Sequence, residues 1–390
     1  MKILFTLTQA FDPNAGGVQR TTFKLGQYFT EQGIEVSYFS TSNQGHVSSK
    51  YGTLYHTKEG GGQGNKENIA ELERIVSKIS PDVVINQMPY ETNLTNILSQ
   101  LKSKVGYVLL GCLRNSLFNF KSNARDEMMR ALPGPVFNLM DNKLGLKIVQ
   151  KRHWFRHRGE LKEILDKHDK FILLAPPNRQ ELKYFVGDYK KDKVLSIPNS
   201  IPEIYLGMEP KEKIVLHVGR LNIPQKRSDL LLDFWENCYK QLPDWKFVIV
   251  GDGPYKEKLE LDLKKRNLDR VYLEGYQQPE DYYKRAAVFM IPSAYEGFPN
   301  TILEAQSFGC LTVAFNSYLA LDWIVNDGID ACLIPPFECD RMAEELISII
   351  ESPNRLEAMQ AASKDNAARF TIDQVGQLWL QLFKEIGIDG

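Results

Sequence analysis

Two carboxylates, Glu296 and Glu304, stand eight positions apart in the stretch Ser293-Ala294-Tyr295-Glu296-Gly297-Phe298-Pro299-Asn300-Thr301-Ile302-Leu303-Glu304-Ala305. Gly297 and Pro299 cannot both occupy a helix interior, so Glu296 falls in a loop. Asn300 can cap a helix over 301–308 that Gly309 would end. Glu304 then projects about one turn into that helix, roughly 6 Å along its axis. Between the acids lies a helix N-terminus with free N–H groups and a partial charge of about +0.5. Such an end suits a diphosphate. An acid on either side suits two sets of sugar hydroxyls, because a carboxylate only accepts hydrogen bonds. The ligand these residues describe is a sugar joined through a diphosphate to a nucleoside.

Cations for that diphosphate follow His217-Val218-Gly219-Arg220-Leu221, which ends an apolar run. The planar fork of Arg220 and the point charge of Lys226 are the usual partners of phosphate oxygens, whereas Arg227 is expected to face solvent. Gly16-Gly17, between the first strand and first helix, lets backbone approach an anion, or simply makes a tight turn. Gly251-Asp252-Gly253-Pro254 reads mainly as a sharp exit from a strand, one that could pass close to a nucleobase. Residues 143–158 carry six Lys/Arg, two His and no acid, interleaved with Leu144, Ile148, Trp154 and Phe155. That composition fits an anionic membrane surface or an ordinary solvated cationic face. His153 and His157 are four apart but sit among arginines, so no catalytic metal and no other cofactor is expected.

The elements that must position these groups come in two series. Apolar runs at 3–8, 36–40, 83–86, 105–112 and 171–175 read as buried strands, with helical patterns at 17–32 and 66–79 between them. A second series at 214–218, 247–250, 271–273, 288–291, 311–315 and 332–334 is interleaved with helices at 228–241 and 255–266. This rhythm predicts parallel sheets covered on both faces. The series restarts after a strand at 193–199 and the Pro- and charge-rich stretch 200–213, which marks a linker. The expected domains are 1–198 and 199–371, with a C-terminal helix at about 372–390 packing back on the first. The ligand is expected in the cleft between them, at the carboxyl ends of the strands. The glycine-rich stretch 59–65 lacks the ending of a phosphate-binding P-loop and reads as a mobile loop.

Bulk properties set the remaining bounds. A chain of 390 residues with 43% hydrophobic and 25% charged residues fits two soluble globular domains. A net charge of −1 gives no global reason for nucleic-acid binding. Five cysteines (Cys112, Cys238, Cys310, Cys332, Cys339) form no C-x-x-C pair, which favours buried reduced thiols in a cytoplasmic protein. The N-terminal apolar run is short for a signal peptide, and no run of eighteen apolar residues occurs, so membrane contact is expected to be peripheral only.

Taken together, Gly16-Gly17, Ile197-Pro198-Asn199, Gly219-Arg220 with Lys226, Gly251-Asp252-Gly253 and the E-x7-E segment resemble the family 4 retaining glycosyltransferases. The resemblance covers nearly the whole second domain and touches the first thinly. It implies an α/β GT-B fold, two Rossmann-like domains facing each other across a cleft. It also implies a nucleotide-sugar-dependent hexosyltransferase of surface polysaccharide or lipopolysaccharide synthesis. The donor would be a UDP- or GDP-sugar and the acceptor a saccharide or lipid-linked saccharide. By position, Arg220 and Lys226 would hold the diphosphate, Glu304 the ribose hydroxyls and Glu296 the donor sugar. The N–H groups at Phe298, Pro299, Asn300 and Thr301 (proline excepted) and at Gly17 would complete the cradle. Where many members carry a His near the reacting centre, this chain reads Gly111-Cys112-Leu113-Arg114, and Arg114 is expected to contact a phosphate or the acceptor. The substitution also motivates the alternative of a non-catalytic nucleotide-sugar-binding relative. Because family members often act on lipid-linked saccharides, 143–158 is an expected site of peripheral contact with the inner face of the membrane.

Overall fold

Continuous apolar runs become two separate parallel sheets in the computed structural model, which describes residues 1–8, 10–13, 16–42, 45, 47–57, 66–201, 203–207 and 210–388. The first sheet contains β1 (Lys2–Leu7), β2 (Glu35–Ser40), β3 (Thr53–His56), β4 (Val83–Asn86), β5 (Val108–Cys112), β6 (Lys170–Leu173) and β7 (Val194–Ser196). Its order is β3-β2-β1-β4-β5-β6-β7. The second contains β8 (Glu212–Val218), β9 (Lys246–Val250), β10 (Val271–Gly275), β11 (Ala286–Ile291), β12 (Leu311–Phe315) and β13 (Ala331–Ile334), in the order β10-β9-β8-β11-β12-β13. Every pairing within both sheets is parallel. This is the Rossmann-like architecture of the GT-B fold, present twice. Each sheet reverses its strand order once, between β1 and β4 and between β8 and β11. Such a reversal opens a crevice at the carboxyl ends of the two strands.

Contacts divide the chain into two compact units, one of Met1–Leu117, Lys147–Ser200 and Ile372–Gly390, the other of Phe118–Leu146 and Ile201–Thr371. The segment Phe118–Leu146 thus clusters with the second unit, although it falls inside 1–198 in sequence. One bond that ties it there runs from Asn123 Nδ2 to Tyr295 Oη, 3.0 Å. Three other expectations change. The edge strand β3 is absent from the sequence reading, because Thr-Leu-Tyr-His is only half buried and shows no continuous apolar run. The helix expected over 228–241 shortens to a 3₁₀ turn at Ser228–Leu230 followed by Leu231–Cys238, preceded by Arg227 in a left-handed conformation. The strand expected over 193–199 reduces to Val194–Ser196. The glycine-rich stretch 59–65 lies outside the described residues.

Within the first unit, the helix Ile372–Glu385 lies against the helix Gly17–Glu31. Gly376 allows the approach, since a side chain there would meet the Tyr28 ring at 2.2 Å. Phe29 packs on Phe383 at 5.4 Å and on Trp379 at 6.4 Å between ring centres, and Gln377 Nε2 donates to Tyr28 Oη at 3.0 Å. In the second unit Trp235 and Phe247 stack at 5.5 Å in the core. All five cysteines are buried and unpaired. Among the described residues no helix is long and apolar enough to cross a membrane.

Among the described residues each unit buries one histidine. His168 Nδ1 pairs with the Ile164 carbonyl at 2.7 Å and His217 Nδ1 with the Met290 carbonyl at 3.0 Å. Burial, acting first, pushes both down to about 4. The folded form therefore binds fewer protons than the unfolded chain between pH 6.5 and about 4, and stability falls as the pH falls through that window. From pH 7 to pH 5.5 each histidine is expected to remove about 1 kcal/mol from its unit. Urea unfolding of wild type, His168→Asn and His217→Asn at both pH values checks this. Each variant should show a shallower loss than wild type, and an unchanged slope would refute the assignment.

Candidate active site at the carboxyl end of the second sheet

The reversal between β8 and β11 brings the two halves of the sequence motif together. β8 exits through Gly219-Arg220, and β11 exits through Ser293-Ala294-Tyr295-Glu296. Two glycines of the neighbouring turn hold the β8 exit in place. Gly251 has φ +153° and a side chain there would meet the Gly219 carbonyl at 1.9 Å. Gly253 has φ +155° and would meet the Leu221 carbonyl at 2.3 Å. Both positions exclude a Cβ through conformation and space at once. The turn 251–254 thus carries the β8 exit, with Leu221 N–H donating to the Asp252 carbonyl at 2.9 Å.

The loop after β8 then folds onto the loop after β11. Asn222 accepts from the Lys226 backbone N–H through its side chain at 3.0 Å. The Ala294 N–H donates to the Gln225 carbonyl at 2.7 Å. These bonds place Lys226 Nζ 2.6 Å from Glu296 Oε1, with side-chain exposures of only 16% and 7%. Gln225 Nε2 donates to the other carboxylate oxygen at 3.2 Å. Glu296 is thus held through both oxygens by groups of the β8 loop. Arg220 is exposed one residue past Gly219 and has no ion pair or hydrogen bond among the described residues. Its neighbour Arg227, expected in solvent, instead pairs with Asp229 at 2.8 Å and lies over the Phe337 ring at 4.5 Å.

After Glu296 the chain enters the helix Asn300–Ser307. Pro299 holds the cap position with no side-chain cap, so Asn300 is the first helical residue rather than the cap expected of it. Gly309, at φ +78°, ends the element as anticipated. Glu304 lies four residues in, one turn along, and accepts from Tyr283 Oη at 3.4 Å. Phe298 is buried against Phe370, 5.9 Å between ring centres, which seats the loop before the helix. The buried hydroxyl of Thr301 has no partner.

Three groups given no role from sequence complete the site. Tyr318, in the loop after β12, is 8% exposed and its hydroxyl has no partner. Burial and the Glu296 charge together raise its pKa well above the ordinary value, so the phenol stays a donor. Ser293 Oγ is likewise buried without a partner. His217 Nε2 has none either and faces the Gly219 turn, where an added Cβ would stand 3.4 Å away. Folding brings Tyr318 and His217 to the stretch that Ser293 begins.

The other expected residues lie in the first unit, apart from 143–146, which cluster with the second. Gly16 precedes the helix Gly17–Glu31 in extended conformation, with no side-chain cap. Arg114 is 6% exposed beyond the end of β5. Residues 143–158 lie in the helix Lys143–Lys167, with all six cations and Leu144, Ile148 and Phe155 exposed. Its polar contacts include Trp154 Nε1 to the Tyr184 carbonyl at 2.7 Å.

Breaking the buried pair tests how much it holds. Lys226→Met leaves the Glu296 carboxylate buried without its cation and is expected to cost about 3–5 kcal/mol. Adding Glu296→Met should recover most of that loss. A double-mutant cycle by urea denaturation measures the coupling, and strictly additive losses would show that the two side chains do not stabilise one another.

Residues 206–366 match the family model of glycosyl transferases group 1. The amylovoran biosynthesis glycosyltransferase AmsD of Erwinia amylovora is 27% identical over 218 residues, covering 55% of this chain and 60% of that protein. An exopolysaccharide phosphotransferase of Streptomyces coelicolor is 27% identical over 224 residues, 56% of this chain and 23% of that protein. The chain therefore spans less than two thirds of either relative. Among solved structures, Anabaena HepE in complex with UDP superposes with a TM-score of 0.75 at 16% identity, covering 99% of this chain and 100% of HepE. At that identity the likeness is one of fold.

Proposed function

We propose, from the premise that residues 206–366 belong to the glycosyl transferases group 1, that this chain is a retaining, nucleotide-sugar-dependent hexosyltransferase. It moves the sugar of a UDP- or GDP-sugar to a saccharide or lipid-linked saccharide acceptor in surface polysaccharide synthesis. The observation that carries this reading is the Lys226–Glu296 pair, 2.6 Å apart at the β8/β11 crevice. Beside it stand the exposed Arg220 and the N-terminus of the helix that bears Glu304. HepE, of the same fold, has been solved with UDP-glucose, which supports a nucleotide-sugar donor.

In this reading each group does what its chemistry allows. Arg220 and Lys226 bind the diphosphate as fork and point charge. An ammonium has three donors, so Lys226 keeps Glu296 on one and offers the others to phosphate oxygens. Glu304 accepts the ribose hydroxyls and Glu296 the donor-sugar hydroxyls. Tyr318 donates its unpartnered hydroxyl into the same space. The acceptor oxygen forms a bond to the anomeric carbon on the face that the diphosphate leaves. The anomeric carbon–oxygen bond to phosphate breaks, and the acceptor proton passes to the departing phosphate oxygen. The cations stabilise the charge that develops on that leaving group. The exposed Leu144, Ile148 and Phe155 with their flanking cations contact an anionic membrane surface that carries the acceptor.

A panel of UDP- and GDP-sugars assayed for donor binding, hydrolysis and transfer tests the proposal. Arg220→Ala is expected to lower kcat/KM by about 10²–10³-fold on the best donor. Glu304→Gln should weaken nucleotide binding in the same assay. Failure of the wild-type protein to bind any nucleotide or nucleotide-sugar would defeat the reading. Tyr318→Phe separates binding from folding. Removing an unpartnered buried hydroxyl is expected to leave the thermal midpoint unchanged or higher while transfer falls about tenfold. A lower midpoint with full activity would instead give Tyr318 a purely structural part.

A further inference from the structure

At the carboxyl ends of β4 and β5, the first unit buries a cation that has no counter-charge among the described residues. Arg114 donates from Nε to Gln87 Oε1 at 2.6 Å and from Nη1 to Asn199 Oδ1 at 2.7 Å. Both partners are neutral amides. Among the described residues no carboxylate lies within ion-pair distance of this guanidinium, and the ionisable groups that bear on it are Cys112 and Tyr90. The nearby buried acid, Glu181, is occupied elsewhere, accepting from Ser116 Oγ at 3.0 Å, from the Leu117 N–H at 2.5 Å and from Asn178 Nδ2 at 3.1 Å. Gln87 is fully buried and its Nε2, an obligate donor, has no partner. An unmatched buried charge is costly, and a lone buried N–H donor adds to that cost. Both deficits are of the same kind, a missing acceptor, and they belong to touching side chains. Gln87 is fixed by its backbone N–H, which donates to the Thr6 carbonyl at 3.0 Å, so the fork and the amide are held in place before any ligand arrives.

We propose that Arg114 and Gln87 form an oxyanion subsite in the first unit that recognises a carboxylate or phosphate monoester carried by the acceptor saccharide. The inference rests on the glycosyltransferase reading only for the word acceptor. The hydroxyls of a neutral hexose can accept hydrogen bonds but bring no counter-charge, whereas a uronic acid or a sugar phosphate supplies both, through paired N–H···O bonds of the guanidinium type.

The test uses the full chain with its nucleotide site filled by UDP. Sodium sulfate is compared with sodium chloride at matched ionic strength in a thermal-shift assay. Sulfate should raise the midpoint of wild type and not that of Arg114→Gln or Gln87→Glu. The second variant guards against misfolding. A carboxylate at position 87 supplies the missing counter-charge from within, so its midpoint without sulfate should rise above wild type. Binding of glucuronate, glucose 6-phosphate and glucose by saturation-transfer NMR then separates the sources. The preferred anion should lose about 10–100-fold in affinity in both variants, with glucose unaffected. A sulfate response that survives both substitutions overturns the subsite. Weaker UDP binding in Arg114→Gln overturns its assignment to the acceptor and gives the cation to the donor diphosphate. If wild type binds no UDP, the donor reading fails while the sulfate response still reports on Arg114 and Gln87.

Discussion

The buried ion pair between Lys226 and Glu296 is the constraint around which the second unit is arranged. A carboxylate at 7% exposure cannot be left alone in a protein interior. It needs a cation from another segment, and that cation must come from a loop that folds over it. The loop after β8 supplies it because β8 and β11 are neighbours in the sheet although β9 and β10 intervene in sequence. The Asn222 side-chain bond, the Ala294–Gln225 backbone bond and the two glycines under the β8 exit all fix the same loop. Each is individually worth little, and together they set one geometry for the pair.

The pair also explains why two of the nearby cations behave so differently. Lys226 is drawn inward and spends part of its donor capacity on protein. Arg220, one residue past Gly219, is exposed and has nothing to bind among the described residues. Arg227 is neutralised by Asp229 and covered by Phe337. A loop with three cations therefore presents one of them fully and one partly.

The sheets were legible because parallel strands are buried on both faces and so appear as unbroken apolar runs. Val83–Asn86 is buried at every position, and so is Leu311–Phe315. The edge strand Thr53–His56 escaped because half its surface is open and its residues carry no such signal. The shortened helix after Arg227 has the same lesson in another form. An amphipathic pattern gives the period, but a left-handed residue at its start decides where the turns begin. Among the site residues, Lys226, Glu296 and Glu304 could be picked out because their motif has fixed spacing beside glycine and proline. Tyr318 and Gln225 could not, since nothing in a single loop tells which other loop it will meet. The isolation of Arg114 was also invisible. It depends on where every carboxylate of the first unit ends up, Glu181 above all, and that is a property of the whole unit.

Buried polar atoms without partners concentrate where strands end. Gln87 Nε2 follows β4, His217 Nε2 lies near the end of β8, Ser293 Oγ follows β11 and Tyr318 Oη follows β12. A protein that folded for stability alone would have little reason to keep them, because a hydrophobic residue of similar shape at each position avoids the desolvation cost. Their chemistry is also divided by unit. Near the second sheet the open valences sit beside a carboxylate and exposed or half-open cations, a mixed surface able to meet hydroxyls and phosphate together. In the first unit the open valence at Gln87 Nε2 is a donor beside one guanidinium, suited to a negative group. The fold supplies the same strand-end crevice twice, and the side chains at its rim give the two crevices different preferences. Whatever each unit binds, the discrimination resides in those few atoms rather than in the sheets that carry them.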